Sequence, residues 1–94
     1  MTYYAVELIP VDQTPLGPDL IRRHAQHLRE IDQAGKLVMG GPFPEDSHGL
    51  VVLKCDSRDE AATILDVDPL ITSGVRTYRV RTWLIATAEK GYMP

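Results

Sequence analysis

The sequence predicts an α+β fold of ferredoxin-like type. Four antiparallel strands form the sheet, two helices cover one face, and two copies pair as a homodimer. Three observations lead there. The chain opens and closes on strand-like alternation, two helical patterns with recognisable starts and stops lie between, and the sheet face turned from the helices still carries large apolar residues.

The first strand is expected over residues 3–11, where Tyr4, Val6 and Leu8 alternate with Tyr3, Ala5, Glu7 and Ile9. Pro10, Pro15 and Pro18 break that pattern and leave residues 12–17 as a loop. A helix is expected over residues 19–34. Pro18 suits its first turn, Asp19 suits the positive end of its dipole, and Gly35 suits a left-handed residue past its end. At 100° per residue, Leu20, Ile21, Leu28 and Ile31 share one arc, with His24 near its middle and His27 at its edge.

Residues 36–42 and 50–55 read as the second and third strands, joined by a loop over residues 43–49. Leu50 to Leu53 are apolar on both faces, so the third strand should be covered on both sides. Ser57 and Glu60 form a capping box for a second helix that must stop before Pro69. Asp68 to Gly74 read as a short helical turn closed by glycine. Residues 75–86 read as the last strand, with Trp83 and Ile85 on the face away from the helices. A bare apolar patch of that kind marks an interface, hence the expected dimer. One domain over residues 1–94 is expected, with a core over 3–86 and a loose tail over 87–94.

Bulk properties narrow the function. A net charge of -3 argues against nucleic acid and anionic membranes as partners. No apolar run approaches the roughly 18 residues of a spanning helix, and the first residues do not resemble a signal peptide. The single cysteine, Cys55, suits a small buried hydrophobe in a reducing, cytoplasmic setting. A chain of this size buries only about 60–65% of the surface its unfolded form exposes, so association would thicken a thin core.

The run from His24 through Gly35-Lys36-Leu37, followed by Gly40-Gly41-Pro42, Gly49, Asp68-Pro69 and Gly74-Val75, resembles the YCII-related family across residues 3–85. The resemblance implies a dimeric α+β barrel similar in fold to muconolactone isomerase. It also implies a cleft with a histidine–aspartate pair proposed as a catalytic dyad, and the matching positions are His24 and Asp68. Among the family's few assigned activities is a dehydrochlorinase acting on a chlorinated hydroxyhydroquinone.

Each candidate has a plainer reading. His24 also fits a core histidine bonded to a carbonyl. Asp68, before Pro69, also fits an N-cap, and one carboxylate oxygen could cap while the other orients an imidazole. Met39, Gly40, Gly41 and Pro42 could border a substrate, or simply bend a strand into a hairpin. Arg22, Arg23, Arg76, Arg79 and Arg81 read as solvated faces or as anchors for an acidic ligand group. His24, His27 and His48 fit no recognised metal motif, so no metal is expected.

The expectation is a small-molecule-binding protein acting without a cofactor. Its chemistry would be acid–base: an isomerisation or elimination on an aromatic or carbonyl-containing metabolite. The alternatives are a non-catalytic ligand-binding or regulatory dimer using the same cleft, and an interaction protein whose dimerisation is its role.

Overall fold

Tyr4, Val6 and Leu8 are buried in β1 (Thr2–Pro10) while their neighbours are not, which is the alternation visible in the sequence. The computed structural model describes residues 1–94. After β1 come α1 (Pro18–Gln33), β2 (Leu37–Pro42), β3 (Gly49–Cys55), α2 (Arg58–Asp66), α3 (Pro69–Thr72) and β4 (Arg76–Trp83). The strands form one antiparallel sheet in the order β2-β3-β1-β4. This is the expected α+β, ferredoxin-like arrangement, with a short third helix from the turn that follows Asp68.

The core lies between the sheet and the helices. Val6 stands opposite Val51 of β3 and Val80 of β4, and Tyr4 opposite Leu53. These side chains pack against Ile31 of α1, Ala61 and Leu65 of α2, and Leu70 of α3. Burying such groups supplies roughly 1.5–3 kcal/mol for each large one. The Cys55 thiol is buried here too, and that burial is the chief reason its pKa is raised.

The opposite face is uncovered. Val52 is nonetheless only 3% exposed, sheltered by its sheet neighbours, while Trp83 and Met39 stand out into solvent. Glu7 and Arg81 form an ion pair on this face at 3.1 Å.

Three expectations need correction. β4 ends at Trp83 rather than Ala86, because Trp83 already pairs with Tyr3 and β1 begins at Thr2. Ile85 is therefore not a sheet residue. Residues 87–94 are not uniformly loose: Ala88–Lys90 form a 3-10 turn closed by Gly91 in the left-handed region (φ 63°), with Tyr92 N–H donating to Thr87 O. The capping box is half formed. Ser57 Oγ accepts from Glu60 N–H at 3.1 Å, but the Glu60 carboxylate turns to Lys36 Nζ, also 3.1 Å away, as an ion pair. The charged partner outcompetes the backbone N–H.

Candidate functional site

α1 starts where the sequence places Pro18 in its first turn, and its inward stripe runs through Leu20, His24, Leu28 and Ile31. His24 is thus carried over the core but sits near its margin, with a side chain 18% exposed. Asp68 reaches it from the other side as the N-cap of α3. Its Oδ1 accepts from Leu70 N–H at 2.8 Å, which fixes the carboxylate. The side chain is 1% exposed.

The two residues meet. His24 Nδ1 lies 2.8 Å from Asp68 Oδ2 and 3.0 Å from Oδ1. A carboxylate only accepts, so Nδ1 carries the proton and donates. This arrangement selects one tautomer and leaves Nε2 with a lone pair. Nε2 has no partner within the chain and is not sealed from solvent. His27, one turn further on, behaves differently: its Nε2 donates to Ile64 O at 2.8 Å, tying α1 to α2.

The space that His24 borders is a cavity of about 430 Å³ between α1, α3 and the β2–β3 hairpin. That is within the roughly 300–1,000 Å³ of small-molecule pockets. Leu8, Leu16, Ile21, Leu28 and Leu70 supply apolar wall, and Gly40, Gly41 and Pro42 border its hairpin side. Gly40 has a packing reason: a Cβ there would come within 3.2 Å of Leu50 O. Met39, grouped with these residues on sequence, does not line the cavity. The strand bulges between Leu37 and Met39, which pairs Met39 with Val52 on the uncovered face and Gly40 with Val51 on the helix face. Met39 borders a smaller depression there with Phe43.

Two ionisable residues outside the sequence-derived site set reach the cavity. His48 arrives from the hairpin loop, held where its own N–H donates to Asp46 Oδ1 at 3.0 Å and Phe43 N–H donates to its carbonyl at 2.7 Å. Arg76, at the start of β4, is 7% exposed and lines the cavity from the sheet side. Its solvated-face reading fails, since it shares the helix-facing side of β4 with Tyr78 and Val80. No three His, Cys, Asp or Glu side chains converge in a way that could hold a metal. No helix is long and apolar enough to cross a membrane.

Residues 5–84 match the model of the YCII-related domain. The chain belongs to the YCII-related family. An uncharacterised protein of Bacillus subtilis (strain 168), YjpA, is 35% identical over 80 residues, covering 85% of this chain and 94% of its own length. Among solved structures, the fold is similar to that of 5-chloro-2-hydroxyhydroquinone dehydrochlorinase (TftG) from Burkholderia phenoliruptrix AC1100, determined in complex with 2,5-dihydroxybenzoquinone. The TM-score is 0.63 at 18% identity, over 88% of this chain and 94% of that one.

Proposed function

We propose that this YCII-related chain binds a small organic molecule beside His24 and catalyses proton transfer on it. The observation that carries the reading is the asymmetric histidine on the cavity wall: Nδ1 is committed to the buried Asp68 carboxylate, and Nε2 is unpartnered and not sealed from solvent. In this reading His24 is the catalytic acid–base, and Asp68 is a positioning residue that also stabilises the imidazolium as it forms. Both catalytic-site residues expected from the sequence, His24 and Asp68, keep those places, with Gly40, Gly41 and Pro42 as wall.

The chemistry is isomerisation or elimination. Nε2 takes a proton from the ligand, whose electron pair shifts within its carbon skeleton. In an isomerisation the imidazolium returns the proton to another carbon. In an elimination the pair expels an anion such as chloride, and the imidazolium then passes its proton to water. Each route balances without an electron acceptor. The fold neighbour is named for a dehydrochlorination and was solved with a dihydroxybenzoquinone, so hydroxylated aromatic or quinonoid compounds are the first class to test.

The direct test is chloride release from 5-chloro-2-hydroxyhydroquinone, and turnover across a wider set of phenolic and enolic compounds. Wild type should turn over at least one, and His24→Ala should lose that activity while its far-UV circular dichroism stays unchanged. Retained turnover in His24→Ala rejects His24 as the acid–base. Binding without turnover of any compound favours a ligand-binding module instead.

The working unit we propose is a homodimer formed through the uncovered sheet face, which carries Met39, Val52 and Trp83 from one edge to the other. A single-chain mass of 10.5 kDa in solution at micromolar concentration would reject it.

A further inference from the structure

The Arg76 guanidinium is the least explained charge in the molecule. The residue as a whole is 7% exposed, yet the guanidinium takes part in none of the ion pairs. Its one hydrogen bond is from Nη1 to the carbonyl of its own neighbour Val75, at 2.8 Å. A guanidinium carries five N–H donors in a planar fork. Asp12 feels this charge, but that carboxylate is held chiefly by the Thr14 N–H, 2.8 Å away, and forms no ion pair with Arg76. The other N–H donors of Arg76 are neither paired nor sealed from solvent, so they stay open to a ligand oxygen. Arg76 lines the same cavity as His24, whose wall is otherwise largely aliphatic side chain and glycine backbone.

We propose that Arg76 is the anchor for an anionic oxygen of the ligand, so that the cavity selects organic acids over neutral molecules of the same shape. The ligand class is a planar oxyanion on a compact apolar body, either a carboxylate or the enolate of an acidic quinonoid or phenol. The guanidinium fork matches such a group with two parallel N–H donors. The anchor also fits the proton transfer proposed for His24. When Nε2 removes a proton, the resulting charge is delocalised onto an oxygen that Arg76 stabilises, which favours the transition state over the ground state. The selectivity rests on the small-molecule reading of this cavity, but not on the proton transfer.

The experiment measures binding of two matched pairs to the full chain by calorimetry and ligand-observed NMR: benzoate against benzamide, and 2,5-dihydroxybenzoquinone against 2,5-dimethoxybenzoquinone. Wild type should prefer the anion in at least one pair by on the order of 10- to 100-fold, as expected for a charge-assisted contact. The pair showing the preference tells carboxylate from enolate. Arg76→Met should bring that ratio close to one without lowering the melting temperature, since no internal ion pair is lost. Arg76→Gln provides the same comparison if the methionine variant is insoluble. Wild type that binds no anion better than its neutral partner, or a preference that survives removal of the guanidinium, overturns the proposal. So does a lower melting temperature with the preference intact, which would mark Arg76 as structural. His24→Gln separates the two readings: it should retain the anion preference, and if it also retains turnover, the acid–base reading fails while the anchor stands.

Discussion

His24 and His27 share one helix, three residues apart, yet face different regions. Towards α2 the layer is closed, and His27 gives its Nε2 proton to the Ile64 carbonyl. Towards α3 the layer opens into the cavity, and His24 meets a carboxylate instead, with Nε2 left over. Both are half-buried, so burial does not separate the two. What separates them is the kind of partner: each ring donates from one nitrogen, but only His24 donates to a carboxylate, which stabilises a charged imidazolium, and only His24 borders the cavity.

The sharpest way to break this contrast is at Asp68. Asp68→Asn should keep the α3 cap through its amide oxygen while offering His24 Nδ1 a donor or a misplaced acceptor. Turnover should fall roughly 100- to 10,000-fold, as in other enzymes that depend on a carboxylate-oriented histidine. Kinetics with the best available compound measure this, and an unchanged rate would separate Asp68 from the chemistry. The opposite signature is expected at His27. His27→Ala should cost about 1–3 kcal/mol of stability by leaving a carbonyl unserved, with turnover kept. Urea titration and the same assay check both halves.

Smaller effects lie further from the cavity. Ser57→Ala removes the α2 cap, whose Oγ accepts from Glu60 N–H, and should cost about 0.5–2 kcal/mol with no kinetic effect. An unmoved denaturation midpoint would contradict it. The Tyr78 hydroxyl donates to Asp66 Oδ1 at 2.6 Å, and this bond, more than burial, pushes the Tyr78 pKa up to about 12. Because that value lies above the unfolded value of about 10, the stabilisation is complete below about pH 10 and is lost as pH rises towards the folded value. Wild type should therefore lose stability in that alkaline window, and Tyr78→Phe should show a smaller loss.

Much of the fold was legible because its signals are local. The alternation of Tyr4, Val6 and Leu8, the Pro18 start and the Ser57 cap each act within a few residues. The element order then limits how the sheet can be built. What escaped depends on neighbours distant in sequence. The end of β4 is set by where β1 begins. The side taken by Met39 is set by a bulge at Val38 that no residue announces. His24 and Asp68 could be paired through the ordered family pattern. Arg76 and His48 could not be assigned to the cavity, because the approach of the sheet and the hairpin loop to α1 is a tertiary fact.

The central claim is that His24 holds its proton on Nδ1 against Asp68 and presents a bare Nε2 to the cavity. Long-range proton–nitrogen NMR of the ¹⁵N-labelled chain reads this directly, at a pH where the ring is neutral. The account predicts the Nδ1–H tautomer for His24, a change to the other tautomer or a mixture in Asp68→Asn, and an Nε2 resonance that moves when 2,5-dihydroxybenzoquinone is added. A His24 ring protonated on Nε2, or an Nε2 resonance indifferent to every ligand that binds, would contradict it.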